Sequence, residues 1–179
     1  MADRPNSALL VIDVQNDVVA AAHQRNAVIA NFKQLVRSAR AADAPVIWVQ
    51  HDDEELPAET DGWHIVPELQ PQPSELIIRK NFRDSFDATS LQADLDERDV
   101  GRLVVTGAQT DFCVRWTLQG ALSRGYDTVL VGDAHTTDET SPASMPNGAQ
   151  IIAHTNSVWA SQTHPTVTAE VAAAADVAF

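Results

Sequence analysis

Cys113 is the only cysteine in this chain of 179 residues, and its position favours a chemical role. It follows a buried strand pattern at residues 102–106 and a short polar turn, and it precedes apolar residues at helical spacing. A thiol in the first turn of a helix meets unpaired backbone N–H groups and the positive end of the helix dipole, which both favour the thiolate. This context predicts a nucleophilic cysteine, provided that partner groups converge on it.

Two charged side chains are candidates for those partners. Asp13 ends the apolar run of residues 8–13, and Lys80 follows the apolar run of residues 75–79. Singly, Asp13 could cap a turn, Lys80 could be a solvated loop residue, and Cys113 could be a small buried hydrophobe. Parallel strands, however, deliver the residues at their carboxyl ends to one edge of a sheet. At a shared edge, Asp13 could accept the thiol proton while the charge of Lys80 favours the thiolate.

The elements that would position these residues alternate between strand and helix. Continuous apolar runs predict strands that are covered on both faces, and they occur at residues 8–13, 45–50, 75–79, 102–106 and 128–131. No internal repeat or break in composition divides the chain, so residues 1–179 are expected to form a single domain. The predicted fold is a three-layer α/β/α arrangement with a doubly wound, mainly parallel sheet.

Helical spacing appears between these runs. One helix is predicted after residue 26 with Asn26 as its N-cap, and another is opened by a capping box of Thr89 and Gln92. The helix behind Cys113 should end at Gly125, and a later helix should cover residues 147–160. Residues 51–74 are polar and contain proline, which is typical of a long excursion or a lid.

Three segments resemble the isochorismatase-like cysteine hydrolases. They are LVIDVQND at residues 10–17, Arg79-Lys80, and VTGAQTDFCV at residues 105–114, and they occur in the expected order. That superfamily includes nicotinamidase, streptothricin hydrolase, and the amidohydrolases of N-carbamoylsarcosine, ureidoacrylate and biuret. Isochorismatases proper lack the nucleophilic cysteine, so Cys113 argues against cleavage of a vinyl ether and for cleavage of an amide.

The resemblance implies a catalytic triad of Asp13, Lys80 and Cys113. It also implies a cis peptide bond between Ala108 and Gln109, with the N–H groups of Gln109 and Cys113 forming an oxyanion hole. The implied reaction cleaves a C–N bond of a small amide, lactam or ureido substrate through a thioester, without a cofactor. Members of the superfamily are similar in forming dimers or larger assemblies, so a homo-oligomer is expected here.

A metal site is a weaker prediction. Nicotinamidases carry a divalent metal on an Asp-x-His motif and a second histidine after the second strand, but this chain has VQHD at residues 49–52. The side chains of His51, Asp52, Asp53 and His64 would have to be arranged differently to bind a metal. We therefore predict no metal. Two alternatives stay open: a metal-containing nicotinamidase, and a non-catalytic redox-responsive or ligand-binding protein that uses a Cys113 of low pKa.

The substrate pocket is predicted from residues near the catalytic segments. Its candidates are a glutamine that follows Asp13 and four aromatic residues: Gln15, Trp63, Phe82, Phe86 and Trp116. Trp116 is the preferred pocket or interface residue, because it lies about one helical turn past Cys113. Each aromatic residue could equally pack in the core or contact another subunit. Arg83, the further cation in this region, could meet a substrate carboxylate or form a surface salt bridge.

Composition excludes some partners. The formal net charge is −13, which argues against nucleic acid or an anionic membrane surface as a partner. The first seven residues contain no apolar stretch that would indicate a signal peptide, and the longest apolar runs have the length of strands. A cytoplasmic protein that acts on a small-molecule amide is expected, since one cysteine allows no intrachain disulfide.

Overall fold

A computed structural model describes residues 4–140, 142 and 144–179, so the first three residues of the N-terminal segment lie outside the described residues. Its centre is one six-stranded sheet in which every neighbouring pair of strands is parallel. The strands are β1 (Asn6–Ile12), β2 (Val46–His51), β3 (Leu76–Lys80), β4 (Val100–Ala108), β5 (Asp127–Thr136) and β6 (Ala169–Ala172). Their order across the sheet is β3-β2-β1-β4-β5-β6.

This order creates a crevice between the two central strands. From β1 the chain proceeds outward to β2 and β3, and from β4 it proceeds outward on the other side to β5 and β6. The carboxyl ends of β1 and β4 therefore flank the point at which the direction of winding reverses, which is where open α/β sheets bind ligands. The doubly wound, mainly parallel sheet predicted from the alternating pattern is confirmed.

Helices cover both faces of the sheet. They are α1 (Arg25–Ala41), α2 (Leu91–Asp96), α3 (Arg115–Ser123) and α4 (Gly148–Ala160), and a π-type turn at Thr110–Val114 precedes α3. Alternate residues of β1 enter different cores: Leu9 and Val11 pack with α1, while Leu10 and Ile12 pack with α2 and α3. Full burial of such a side chain contributes about 1.5–3 kcal/mol. Burial on both faces is why the strands appear as continuous apolar runs.

Two predicted helix caps are wrong. The first helix begins at Arg25, so Asn26 lies inside it, and the N-cap is Gln24 without a side-chain cap bond. The capping box of Thr89 and Gln92 is also absent, because α2 begins at Leu91. The Thr89 hydroxyl donates to the Ser85 carbonyl at 2.7 Å and accepts from the Leu91 N–H at 3.3 Å, while the Gln92 amide donates to Tyr126 and Asp96 instead of returning to Thr89.

The last long helix, predicted over residues 147–160, covers Gly148–Ala160 and begins with a capping box that was not predicted. Asn147 precedes α4, its side-chain oxygen accepts from the N–H of Gln150 at 3.0 Å, and the Gln150 side chain accepts from the Asn147 N–H at 3.0 Å. This reciprocal pair satisfies two of the donors that a helix start leaves without partners.

The boundaries of all five predicted strands differ from the observed ones, and two of these differences affect the arrangement of the site. Lys80 is the last residue of β3 rather than the residue after it, and β5 continues five residues beyond residue 131, to Thr136. The register between β4 and β5 shifts between Val105 and Gly107, which accommodates the polar extension of β5. Gly107 has a φ of 127°, and a Cβ there would lie 2.1 Å from the Ile12 carbonyl oxygen, so only glycine fits.

No helix in the described part of the chain is both long and apolar enough to cross a membrane.

Candidate active site

Three side chains from separate elements meet at the edge of the sheet. The Lys80 ammonium donates to Asp13 Oδ2 at 2.7 Å and to Cys113 Sγ at 3.2 Å. The side chains of Asp13 and Lys80 are almost completely buried, and Cys113 is partly exposed. Lys80 thus bridges the carboxylate and the sulfur.

The backbone explains why these residues converge. Asp13 directly follows β1, has a φ of 49° and donates its N–H to the Val49 carbonyl at 2.9 Å, which turns the chain at the end of the strand. Lys80 ends β3, and Cys113 lies in the π-type turn after β4. Asp13 and Cys113 therefore lie on the two sides of the central crevice, and Lys80 reaches them from two strands away.

The thiol of Cys113 is held in its protonated form. Burial raises the pKa of Cys113 to about 12, and the negative charge of Asp13 raises it further than the positive charge of Lys80 lowers it. Lys80 lowers the pKa of Cys113, as predicted, but burial and Asp13 outweigh this effect, so the expected low pKa of the thiol is wrong. Cys113 lies in the turn before α3 rather than in its first turn, and a carboxylate faces the same sulfur.

Lys80 remains charged in this setting. Burial opposes the ammonium form, but the negative charge of Asp13 and the hydrogen bonds to Asp13 and Cys113 outweigh that effect and raise the pKa of Lys80 above its ordinary value. The carboxylate of Asp13 uses one oxygen for Lys80, whereas its other oxygen, Oδ1, is buried without a hydrogen-bond partner. An unpaired buried oxygen is costly, so a group that supplies a proton to it is favoured at this position. We call Asp13 and Lys80 the charged flank of Cys113.

The turn that carries Cys113 has an unusual backbone. The peptide bond between Ala108 and Gln109 is cis. The Gln109 carbonyl then accepts from the N–H groups of Phe112 at 3.1 Å and Val114 at 3.2 Å. Phe112 departs from helical geometry, with φ −114° and ψ −105°, so the turn is kinked one residue before the thiol.

On the other side of the turn lies a chain of neutral hydrogen-bonding groups. Thr110 Oγ1 lies 2.8 Å from Nδ1 of His135, and Nε2 of His135 lies 2.9 Å from Oδ1 of Asn156. Thr110 and His135 are buried, and the three residues come from the turn, β5 and α4. Burial lowers the pKa of His135 below its ordinary value, so the ring is neutral, although the bond to Asn156 and the charge of Asp133 act in the opposite direction. We call Thr110, His135 and Asn156 the neutral flank.

A cavity of about 580 Å³ opens beside Asp13 and Cys113. Its size suits a small-molecule ligand. The wall combines acidic, amide and apolar side chains with one arginine, and it is completed by Asp17, Val18, His51, Asp53, Glu55, Leu56, Asn81, Phe82, Arg83, Gln109 and Phe112. The guanidinium of Arg83 lies 4.3 Å from the centre of the Phe112 ring, which orients this cation at the wall rather than in a surface salt bridge.

Of the five residues predicted for the pocket, the structure places Phe82 at the cavity, and this residue is 57% exposed. Trp116 is also exposed, but it does not line the cavity, so its prediction as a pocket residue is wrong. The prediction assumes helical spacing between Cys113 and Trp116, but Cys113 lies in the π-type turn and the regular helix begins only at Arg115. The alternative that Trp116 contacts a second subunit stays a prediction.

The other three pocket predictions are wrong because the side chains are used in packing. Gln15 is fully buried, and its amide donates to the carbonyl groups of His51 at 2.9 Å and Trp63 at 2.8 Å. It ties the excursion of residues 51–74 to the sheet. Trp63 is buried and lines a different cavity, and Phe86 stacks on Tyr126 with ring centres 5.8 Å apart.

Sequence reasoning did not find Val18, Leu56 and Asn81, which line the cavity. For Leu56 a signal exists, because it is a single leucine directly after the acidic residues 52–55 and it becomes buried. Asn81 follows Lys80, and its amide donates to the carbonyl and side chain of Asp52 at 2.9 and 2.8 Å. Its place at the cavity depends on this contact with a loop far away in sequence.

The four residues considered as metal ligands are separated by their contacts. His51 pairs with Asp53, with Nε2 and Oδ2 2.9 Å apart, while Asp52 accepts from Asn81. His64 lies edge-on against a tryptophan and lines a different cavity. Among the residues that the structure describes, no three His, Cys, Asp or Glu side chains converge in an arrangement that could hold a metal ion. The donor set therefore does not fit the metal of the nicotinamidase alternative.

The chain thus has a parallel α/β sheet with Asp13, Lys80 and Cys113 at its carboxyl edge. Comparison with known proteins identifies the family to which it belongs. A family model described as the isochorismatase domain matches residues 7–156, a range that contains Asp13, Lys80 and Cys113. The chain belongs to the isochorismatase family.

Individual relatives agree with this assignment. Streptothricin hydrolase from Streptomyces noursei is 35% identical over 161 residues, which cover 82% of this chain and 64% of that protein, so the chain spans less than two thirds of its length. Ureidoacrylate amidohydrolase from Methylobacterium radiotolerans is 27% identical, and the match covers 89% of this chain and 77% of that protein. A crystal structure described as an isochorismatase family protein is 31% identical, with a TM-score of 0.83 over 94% of this chain and 99% of the other.

Proposed function

We propose that this chain is a cysteine hydrolase that cleaves a C–N bond of a small amide, lactam or ureido substrate through a thioester. Asp13, Lys80 and Cys113 form the triad. The observation that carries this proposal is the position of Lys80, which lies 2.7 Å from Asp13 and 3.2 Å from Cys113 beside a cavity of about 580 Å³. The C–N class is supported by a similar protein, an amidohydrolase of ureidoacrylate, and hydrolysis in general by a similar streptothricin hydrolase.

The resting state contains a neutral thiol, an ammonium and a carboxylate. Because the pKa of Cys113 is raised to about 12 by burial and by Asp13, the thiol keeps its proton until the substrate carbonyl is in place. Oδ2 of Asp13 is held by Lys80, and Oδ1 is without a partner. Oδ1 is therefore the natural acceptor for the thiol proton, and Asp13 acts as the general base.

Acylation begins when Sγ of Cys113 bonds to the carbonyl carbon and its proton moves to Oδ1 of Asp13. The carbonyl π electrons move to the oxygen, and the N–H groups of Gln109 and Cys113 stabilise this oxyanion. Collapse of the intermediate breaks the C–N bond, and Asp13 gives its proton to the leaving nitrogen. Lys80 stays protonated throughout and compensates the negative charge that moves between sulfur and carboxylate.

Deacylation repeats these steps with water. A water molecule attacks the thioester carbonyl and transfers a proton to Asp13, and a second tetrahedral intermediate forms at the same oxyanion position. The C–S bond then breaks, the acid product leaves, and Asp13 returns the proton to sulfur. Neither stage requires a metal, a cofactor or a redox partner.

The alternatives receive less support. A redox-responsive protein needs an exposed cysteine with a low pKa, whereas the pKa of Cys113 is raised. For a metal-containing nicotinamidase, His51, Asp53 and His64 would have to leave their present contacts.

The test is hydrolysis of a panel that contains nicotinamide, N-carbamoylglycine, 2-pyrrolidone and streptothricin, followed by mass spectrometry of the products. On any compound that the wild type hydrolyses, Cys113→Ala should lower kcat by about three orders of magnitude or more. Asp13→Asn should lower kcat by about 100–10,000-fold, because an amide cannot accept the thiol proton. The matched control is Ser123→Ala, an exposed position on α3, which should retain wild-type turnover.

Persistence of turnover in Cys113→Ala would contradict the proposed nucleophile. Loss of wild-type turnover on dialysis against a chelator, with recovery on addition of zinc, iron or manganese, would instead favour the nicotinamidase alternative.

A further inference from the structure

The turn at Thr110–Val114 carries Cys113, and its first residue contacts β5, which lies on the other side of the two central strands from β3 and Lys80. Thr110 is fully buried, and its hydroxyl contacts Nδ1 of His135 at 2.8 Å. Neighbouring residues of the turn also bind to the end of β5 and its continuation: Asp111 accepts from Thr137 at 2.9 Å, and Gln109 donates to Asp138 at 3.0 Å. The polar extension of β5 therefore holds three consecutive residues that precede the thiol.

The direction of the hydrogen bonds in the neutral flank follows from the bonds that Asn156 makes. Asn156 donates its amide N–H to the Gly132 carbonyl at 2.9 Å, so its Oδ1 is the atom that faces His135. That oxygen can only accept, so Nε2 of His135 carries the hydrogen. In a neutral ring Nδ1 must then accept, and the Thr110 hydroxyl must donate to it. In the neutral flank, Thr110 thus donates to His135, and His135 donates to Asn156.

We propose that His135 is a positioning residue for acyl transfer: as a neutral acceptor for the Thr110 hydroxyl, it holds the turn so that the N–H groups of Gln109 and Cys113 converge on the developing oxyanion. This inference rests on the proposed function, because it presumes that Cys113 forms an acyl intermediate. Burial lowers the pKa of His135, which keeps Nδ1 available as an acceptor. His135 does not line the cavity beside Cys113, so it acts through Thr110.

Two substitutions separate the roles of the two ring nitrogens. His135→Asn places a side-chain oxygen near the position of Nδ1, so it keeps the acceptor for Thr110 and loses the donor to Asn156. His135→Gln places an amide nitrogen near the position of Nε2, so it keeps the donor to Asn156 and loses the acceptor for Thr110. A merely structural role for His135 predicts that the two variants are equally impaired, whereas the positioning role predicts that only the glutamine variant is.

The experiment compares two reactions of the same sulfur in the full chain. Acylation of Cys113 by p-nitrophenyl acetate, followed as the burst of p-nitrophenolate, passes through an oxyanion. Alkylation by iodoacetamide displaces iodide at a saturated carbon and develops no such charge. The ratio of the two rate constants therefore reports stabilisation of the oxyanion separately from the reactivity of the thiol. Cys113→Ala provides the blank for reaction at other nucleophiles.

We expect His135→Gln to lower the acylation-to-alkylation ratio by about tenfold or more. This loss is smaller than the loss of about 100–1000-fold in kcat that follows deletion of an oxyanion donor. His135→Asn should stay within about threefold of the wild type. Thr110→Val should reproduce the loss without touching His135, Thr110→Ser should retain the wild-type ratio, and Thr110→Val combined with His135→Gln should be no worse than either single variant.

Equal ratios in the Asn and Gln variants would overturn the positioning role, and so would a wild-type ratio in Thr110→Val. These outcomes leave the proposed function intact. An undiminished burst in Cys113→Ala would show that the acyl group is not on Cys113 at all, and would reject the proposed function together with this inference.

Discussion

The charged flank and the neutral flank hold Cys113 from opposite sides by different physical means. Asp13 and Lys80 are ionised groups buried next to each other, and they control where the thiol proton resides. Thr110 and His135 are equally buried, but they are uncharged, and they fix the path of the backbone. The proposed mechanism therefore assigns reactivity and geometry at one cysteine to separate groups of residues.

The loss of folding free energy on substitution should therefore differ between the two flanks. Removal of one member of a buried ion pair leaves an uncompensated charge and typically costs about 3–5 kcal/mol. Removal of one member of a buried neutral pair leaves an unsatisfied polar atom and costs about 1–3 kcal/mol. Substitutions at the charged flank should therefore change stability, thiol reactivity and turnover together, whereas those at the neutral flank should act mainly on the geometry of the turn.

The largest effect is expected on stability. Lys80→Met should lower the free energy of unfolding by about 3–5 kcal/mol, because Asp13 would stay buried without its counter-charge. Thr110→Val should lower it by about 1–3 kcal/mol. Urea denaturation at pH 7 measures both values, and the double variant Asp13→Asn with Lys80→Met should recover most of the loss. A double variant as unstable as Lys80→Met alone would show that the aliphatic part of the lysine, rather than its charge, stabilises this site.

A second prediction concerns the rate of thiol alkylation. Asp13 raises the pKa of Cys113 and Lys80 lowers it, so removing each charge should move the pKa in opposite directions. Below the pKa, the thiolate fraction rises tenfold for each pH unit by which the pKa falls. At pH 8, Asp13→Asn should react faster with iodoacetamide than the wild type, and Lys80→Met should react more slowly.

Thr110→Val is the control from the neutral flank in that measurement, and its alkylation rate should equal that of the wild type. Similar rates in Asp13→Asn and Lys80→Met would mean that the charged flank does not control the protonation of sulfur, and the contrast between the two flanks would disappear.

The smallest effect is expected in the pH dependence of stability. The pKa of Cys113 is raised from its ordinary 9.0 to about 12, so above pH 9 the unfolded chain releases a proton that the folded chain keeps. Stability should decline as pH rises above 9, and less so in Cys113→Ala. The pKa of His135 is lowered from its ordinary 6.5, so below pH 6.5 the unfolded chain binds a proton at this histidine that the folded chain does not bind. Stability should decline there too, and less so in His135→Asn.

Urea titrations at pH 5, 7 and 10 distinguish these two losses. Each variant should flatten one limb of the pH profile and leave the other as in the wild type. A variant that flattens both limbs, or neither, would show that its flank is not responsible for the limb assigned to it.

The sheet could be predicted because its signals are local. The four central strands, β2, β1, β4 and β5, are buried on both faces over most of their length, so each contains an apolar run that is visible in the sequence. The positions of Asp13, Lys80 and Cys113 at or near strand ends follow from those runs. The polar end of β5 gives no such signal: the run ends at residue 131, yet pairing with β4 continues to Thr136. The sequence consequently did not indicate a role for His135.

Sequence by itself determined the fold class, the family and the edge of the sheet at which three reactive residues would gather, since these depend on patterns within short segments. The tertiary structure alone decided that the thiol is protonated, that Trp63 and Phe86 pack in the core while Leu56 reaches the cavity, and that Thr110 finds His135. These properties depend on distances between side chains that are far apart in the chain. The charge of Asp13 acts on Cys113 across 100 residues of sequence, but only because β1 and β4 are neighbours in space.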